Sequence, residues 1–212
     1  QDLRLSSSFD GPFNFILGAY YNREKVFNET TFEITKDLDY NEDGLFTGAD
    51  CLDALTEIAL PLGCLVRNSF DQVKKSTAFY SDMTFKVTDA LTLRGGLRYT
   101  HDTGKQTNFE SNAFGTDGTL VTNLIPLTNL SYSTNNLSGK IGVDYKLSPN
   151  NMVYANYSRG YRAKSFNAQA FFDPSEVGIA KPEEVDAFEV GAKTQFLEIG
   201  RASCRERVYA CV

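Results

Sequence analysis

The sequence contains no Trp, one His and two Met among 212 residues. It has no run near the roughly 18 consecutive apolar residues that a membrane helix needs, which excludes a helical membrane protein. A membrane barrel is not excluded, because its strands alternate in polarity and keep the average low. The mean hydropathy of -0.31 fits such a barrel and a soluble protein equally well. With His101 the only histidine, any His-based triad would rest on it, and it falls at a strand end near water. Positive charge is also scarce. The net charge is -6, and no basic cluster has interleaved aromatics, which argues against a nucleic-acid partner. The chain opens on Gln1-Asp2-Leu3 without an initiator Met or signal peptide. An exported protein carries such a signal, so the start is expected to be missing.

What is present is period-two alternation, the mark of a strand with two different faces. Leu91, Leu93, Gly95, Leu97 and Tyr99 oppose Thr92, Arg94, Gly96, Arg98, Thr100 and Asp102. Leu137, Gly139, Ile141, Val143, Tyr145 and Leu147 oppose Ser138, Lys140, Gly142, Asp144 and Lys146. Similar stretches lie around Phe13–Tyr21, Phe79–Val87 and Phe188–Phe196. Together they predict about seven strands, near 1–9, 14–25, 73–87, 90–103, 134–147, 151–165 and 182–197. Three links are tight and rich in turn formers: Asp10-Gly11-Pro12, Thr88-Asp89 and Ser148-Pro149-Asn150-Asn151. Three are long, near 26–72, 104–133 and 166–181. Alternating short and long links are the asymmetry of a membrane barrel, with short periplasmic turns and long extracellular loops.

The strands exceed the roughly 5–6 residues common in soluble sheets. The charges Arg94, Arg98, Lys140, Asp144 and Lys193 share faces that must meet water, which favours a large barrel with an aqueous lumen. The fold class expected is all-β, an antiparallel transmembrane β-barrel fragment. A soluble β-sandwich or β-helix is the alternative. Tyr99, Tyr157 and Tyr161 fall towards the long-loop ends, where an aromatic girdle sits. Gly95, Gly96, Gly142 and Gly191 either ease bending and close approach or reduce lumen bulk.

Several stretches resemble TonB-dependent receptors. LTLRGGLRYTHDTGK after QVKKSTAFYSDMTFKVTDA is similar to that family's paired strands. NMVYANYSRGYRAKSFN followed by KPEEVDAFEVGAKTQFL resembles its late-barrel pattern: a Tyr-rich strand ending in Gly-Tyr, a loop, and a Glu-x-Gly-x-Lys strand at Glu189–Lys193. RLSSSFDGPFNFILGAYYNRE also fits. The resemblance implies part of a barrel of about 22 strands in the outer membrane of a Gram-negative bacterium. It implies outer-membrane lipid and lipopolysaccharide as surroundings. It implies active import of a scarce solute, a small molecule or metal chelate such as a ferric siderophore, powered by the TonB complex through a plug and N-terminal box not found in this sequence. A passive porin and an adhesion or structural barrel are the competing functions. No enzyme, required cofactor or nucleic-acid partner is implied. On the residues alone, Arg159, Arg162 and Lys164 near the outer mouth either attract an anionic chelate or form an ordinary charged rim. Glu176, Glu183, Glu184 and Asp186 read as a solvated loop rim rather than an acid–base pair.

The tail reads differently. Glu198–Val208, EIGRASCRERV, resembles a translated sequencing adapter, and Arg201, Arg205 and Arg207 interrupt any strand or helix period. The division expected is 1–197 as partial barrel and 198–212 as a non-native tail, a genuine basic tail being the alternative. Without it the chain carries a net charge of -7, and only Cys51 and Cys64 remain as native cysteines.

Those two cysteines lie in the longest link, outside the cell, where a disulfide forms readily. The same link holds DYNEDGLFTGAD. Asp39, Asn41 and Asp43 take positions one, three and five of a twelve-residue loop, with Gly44 at six. Leu45 at seven offers its backbone carbonyl, Thr47 stands at nine and Asp50 at twelve. A hard cation takes six to eight oxygens, and alternating short acidic side chains can wrap it. The segment resembles EF-hand and dockerin loops, which implies a structural Ca2+. An acidic surface loop with an Asp-Gly turn is the alternative.

Overall fold

A computed structural model describes residues 1–33, 65–114, 120–195 and 201–211, the last stretch as backbone course only. Among the described residues, one antiparallel sheet of eight strands dominates. Its strands are β1 (Asp2–Ser6), β2 (Phe13–Glu33), β3 (Leu65–Lys86), β4 (Leu91–Phe114), β5 (Leu120–Ser148), β6 (Asn151–Arg162), β9 (Glu183–Gln195) and β10 (Arg201–Cys211). Each pairs with the next, and only β6 to β9 skips. Between those two lie β7 (Ser165–Phe166) and β8 (Ile179–Ala180), which form a separate two-stranded ribbon. The sheet is open: β1 and β10 are its edges.

The two faces follow the expected alternation. Leu17, Phe79, Met83, Leu97, Tyr99, Leu137, Ile141, Phe188 and Val190 are exposed large apolar side chains on one face. Cross-strand partners share a face, and the register confirms the grouping: Ala19 faces Phe79, Phe79 faces Tyr99, and Tyr99 faces Leu137. The other face carries Arg4, Tyr80, Asp82, Arg94, Arg98 and Lys140. An exposed apolar face on a sheet this large is what a lipid-facing barrel wall presents.

Strand length departs from the sequence reading. β2 has 21 residues, β3 has 22, β4 has 24 and β5 has 29. A tilted membrane strand needs about 9–11. The link expected over 104–133 is therefore mostly sheet: β4 runs to Phe114 and β5 begins at Leu120. The links expected over 26–72 and 166–181 also shrink or gain structure, since β2 and β3 extend to Glu33 and from Leu65. The asymmetry between the two ends survives in the described residues as long strand extensions on one side only. The sequence missed this because Gly104–Asn108 has no apolar alternation. Backbone ladders and packing from elsewhere hold such a stretch extended.

One residue keeps the extension aligned. Asn108 has φ 57, the left-handed region that Asn tolerates better than most residues. There the ladder slips, with Ser69–Asp71 on β3 opposite Thr107–Glu110 on β4, so β4 holds one extra residue. The bulge switches the side-chain parity of β4. Below it the buried residues are Thr100, Asp102 and Gln106; above it they are Phe109, Ser111 and Ala113. Asn108 is also tied by its N–H to Asn129 Oδ1 at 3.1 Å and by its amide to Asp71 at 2.9 Å.

The only hydrophobic core cluster among the described residues sits on this extension. Phe70, Phe109, Ile125 and Ala170 are buried together, with Leu124 and Val177 against them. Ala170 and Val177 belong to the segment 163–182, which folds back onto the polar face. The face is fixed by β3, where Val66, Asn68 and Phe70 share parity with Tyr80 and Asp82. Asn68 donates its amide to the carbonyls of Ala168 (3.1 Å) and Ala170 (3.2 Å). Ser111 donates to the carbonyl of Phe171 at 2.7 Å. Phe32 meets the rings of Phe171 and Phe172, and Tyr132 meets Phe166 at 5.1 Å.

Inside the segment, Asp173 caps a single 3-10 turn (Pro174–Glu176) by accepting the Ser175 N–H at 2.7 Å, which holds its carboxyl below the usual range. Glu176 accepts the Phe171 and Phe172 N–H groups. The expected solvated rim is thus partly structural: Glu176 shapes this segment, and Glu184 accepts from Asn136 at 2.7 Å.

β10 pairs with β9 from Arg201 to Cys211. The backbone is thus a strand here although Arg201, Arg205 and Arg207 interrupt the side-chain period. An open edge offers backbone groups that pair without regard to side-chain pattern.

Candidate functional site

The polar face is a continuous surface of ion pairs and aromatic rings. Alternation makes this inevitable: one residue in two must face away from lipid, and water admits charge there. At the lower level Arg94 pairs with Asp144 at 2.5 Å and reaches Asn156 at 3.3 Å. One level up, Lys140 pairs with Asp82 at 2.5 Å. Near β1, Arg4 donates to Tyr80 Oη at 3.2 Å and to Asp2 at 3.1 Å, and Tyr80 donates to Asp2 at 2.9 Å. The Arg98 guanidinium lies 5.2 Å from the Tyr20 ring centre and 5.7 Å from that of Tyr80, a cation–π contact on each. Arg4, Tyr80, Asp82, Arg98, Lys140 and Ser158 line a concave hollow of about 560 Å³. Its lining combines these charges and the Tyr80 ring with Ile16 and Leu97. Among the described residues it holds no nucleophile–base pair. His101 lies on the other face, bonded to Asn135 at 2.7 Å.

Glycine makes the aromatic layer lie flat. A Cβ on Gly18 would meet the Tyr80 ring at 2.1 Å, and one on Gly104 would meet Tyr132 at 2.3 Å. Each ring covers a bare stretch of backbone on the neighbouring strand. Gly142 is crowded by Asn156, whereas Gly95 meets nothing within 4 Å. Close approach therefore explains Gly142 and not Gly95. The sequence signal that could have found the important pairs was an isolated Gly one strand away from an inward Tyr. Gly18→Val is expected to swing Tyr80 away and cost the intact protein about 1–3 kcal/mol. Thermal melts of a double-mutant cycle check this. The cost should nearly vanish in a Tyr80→Ala background, and strict additivity would rule the contact out.

A family model for the TonB dependent receptor-like β-barrel matches residues 1–203. This chain belongs to that family. The match runs past the boundary expected at 197. TonB-dependent receptors are transport receptors, not enzymes.

Solved structures agree on the fold. The ferric yersiniabactin uptake receptor FyuA from Yersinia pestis superimposes with TM-score 0.67 at 15% identity, over 98% of this chain and 27% of that one. The siderophore receptor PiuA from Acinetobacter baumannii gives TM-score 0.61 at 23% identity, over 98% and 30%. The copper transporter OprC gives TM-score 0.52 at 13% identity, over 99% and 38%. This TonB-dependent barrel chain thus spans well under half the length of the structures it resembles.

The sequence-selected residues separate in space. Arg159 lies beside Gly139 and Asp186 in the register, on the face of Tyr157 and Phe188. It makes a two-pronged pair with Asp186, both contacts 2.8 Å, and Tyr157 donates to the same carboxylate at 2.7 Å. Its charge is therefore engaged on the apolar side. Arg162 pairs loosely with the exposed Glu183 at 3.4 Å. Lys164 opens the inward-folded segment. Of the expected girdle, Tyr99 is exposed, and Tyr157 packs tilted against Phe188 with ring centres 4.8 Å apart. Tyr161 instead buries its hydroxyl. The calcium-type residues Asp39, Asn41, Asp43, Leu45, Thr47 and Asp50, and Cys51 and Cys64, lie outside the described residues. Sequence reasoning missed Asn68, Phe70, Phe109 and Ser111, which hold the inward segment. They sit where no alternation marks a strand.

Proposed function

We propose that this chain forms part of an outer-membrane receptor that imports a scarce solute with energy from TonB, a ferric siderophore being the leading substrate class. One observation carries this reading beyond family membership. The 163–182 segment packs inward against the extended wall, above a polar, aromatic lining. A receptor must shape the lumen side of its mouth to hold its substrate, and this segment does so with a hydrophobic core. Siderophore and copper proteins both appear among the similar structures, so the metal and chelate class is the broader reading. The test uses the complete gene in a host lacking its own siderophore receptors. Uptake of one of a panel of labelled ferric siderophores should require an intact TonB. Uptake that persists without TonB would favour the passive porin.

We also propose that Asp39–Asp50 binds structural calcium and that Cys51 and Cys64 form a disulfide. The support is the ligand spacing and an oxidising location. Closing about 14 residues stabilises by roughly 3 kcal/mol in the loop-entropy model. Calorimetry on the intact receptor should show calcium binding that disappears in Asp39→Ala and Asp43→Ala, and both thiols should resist labelling until reduced. Equal heats in all three proteins would dispose of the calcium site, and two freely labelled thiols would dispose of the bridge. The 198–212 tail is proposed to be foreign to the gene, which sequencing the genomic locus decides.

A further inference from the structure

The β5–β6 ladder stops where Gly139 faces Arg159, although β5 extends beyond it through residues 120–138 and β6 runs on against β9 to Arg162. Past that point Tyr161 and Glu184 remain direct cross-strand partners. Strand alternation would keep them on the outer face with Arg159 and Asp186. They turn instead to residues of the inner face. Glu184 accepts the Asn136 amide at 2.7 Å, and the Tyr161 hydroxyl is directed at Thr134 and Asp102. Thr134 and Asp102 are partners across β5 and β4, as are Asn136 and Thr100. Residues of β4, β5, β6 and β9 thus converge on one cluster, where the ladder has parted.

The cluster is rich in oxygen and short of positive charge. Asp102 and Asn136 are buried. Asn136 Oδ1 and the Tyr161 hydroxyl are buried without a hydrogen-bond partner, which is costly unless something else meets them. Among the described residues neither Asp102 nor Glu184 has an ion-pair partner. The cations around them are engaged. Arg98 donates to Thr100 and lies over the Tyr20 and Tyr80 rings. Arg159, near Glu184, is held by both oxygens of Asp186, and Arg162 reaches Glu183. Tyr132, next on the same face of β5, packs against Phe166 and shields the cluster on that side. Buried charges are paired or coordinate a metal. Two carboxylates share this site, and no cation of the chain meets either.

We propose that Asp102, Glu184 and the side-chain carbonyl of Asn136 bind a calcium ion, with the Thr134 and Tyr161 hydroxyls completing what the protein supplies. Calcium accepts carboxylates, amide carbonyls and water in flexible arrangements. Among the described residues no three His, Cys, Asp or Glu side chains gather. This donor set has neither nitrogen nor sulfur, which points away from a transition metal. Magnesium demands a near-ideal octahedron, which side chains from four strands at a parted ladder are poorly placed to give. The ion acts as a clasp. Asp102, Thr134 and Asn136 stand on one side of the break, and Tyr161 and Glu184 on the other, so it joins β5 to β6 and β9 at the root of the 163–182 segment. The site shares no residue with the Asp39–Asp50 loop and does not depend on which solute is carried.

The test uses the intact protein carrying Asp39→Ala and Asp43→Ala, so that the loop contributes no heat. Stripped with a chelator and titrated with calcium chloride in a calorimeter, this background should bind one calcium ion. Asp102→Asn and Glu184→Gln keep size and hydrogen bonding. Each should weaken binding at least about tenfold, a loss seen even for residues that only support a metal's ligands. Glu183→Gln, on the same strand but facing Arg162, should leave the affinity unchanged. Calcium should also slow hydrogen exchange at the amides of residues 161–166 in the background protein and not in Asp102→Asn. A background protein that binds no calcium would overturn the proposal without recourse to any further variant. Affinity unchanged in either Asp102→Asn or Glu184→Gln would overturn it too. Binding that appears only after Lys164→Gln would assign the site to the chain's own ammonium group, and the proposal would fall.

Discussion

Phe109→Ala in the intact receptor is expected to free the 163–182 segment from the wall while leaving the membrane sheet in place. Phe109 is fully buried and stacks on Phe70 with ring centres 5.8 Å apart. Truncating such a residue costs about 3–5 kcal/mol, part lost transfer energy and part cavity. The segment depends on few other contacts: the Asn68 and Ser111 hydrogen bonds and the rings of Phe32 and Tyr132. A loss of that size exceeds what so small a unit holds in reserve, so it opens locally rather than globally. Hydrogen exchange reads this at the Asn167 N–H, which is bonded to the Gly178 carbonyl at 3.0 Å. Its protection should collapse, whereas amides of β6 and β9 keep theirs. Phe27→Ala is the control. Phe27 lies on the same extension but is 68% exposed, so its loss should change stability by under about 0.5 kcal/mol. Unchanged protection in Phe109→Ala would show that the segment is held by something other than this core.

The second large effect concerns the 212-residue chain expressed alone. It is expected to form no inserted barrel. Its sheet is open, with β1 and β10 as edges. Each edge presents a row of backbone donors and acceptors that hydrocarbon cannot satisfy, at several kcal/mol per unmet group. In water the exposed face of Leu17, Leu97, Leu137, Ile141 and Val190 drives association instead. Refolding into detergent, followed by electrophoresis with and without boiling, should show no compact, heat-modifiable, protease-resistant band. Such a band would refute the expectation and would mean that the edges find partners, most simply in a second copy.

The length of β3 and β4 supplies the wall on which Phe70 and Phe109 pack. Shorter strands would leave the 163–182 segment without it.

Alternation along the chain was enough to establish the strands around 91–103 and 134–147, their two faces and the tight turn at Thr88-Asp89. The cause is local. A strand in lipid must show hydrocarbon one apolar side chain in every two, and a tight turn needs residues that accept its dihedrals. The aromatic edge at Tyr99 and Tyr157 was visible for the same reason. Residues 104–133 were not. Phe109 and Ser111 carry no alternation because their inner face is covered by a segment some sixty residues further along the chain rather than open to water. Their strand state depends on long-range ladders and on the Asn108 bulge, which no local pattern announces. The pairing of Arg159 with Asp186 was equally hidden: spacing showed a charge near the mouth, while only the β6–β9 register decided which face it took and which carboxylate it met. Short-range polarity is set by what each residue touches in solvent or lipid, and the sequence records it directly. Contacts between distant segments are set by the register of the whole sheet, and only the folded chain determines them.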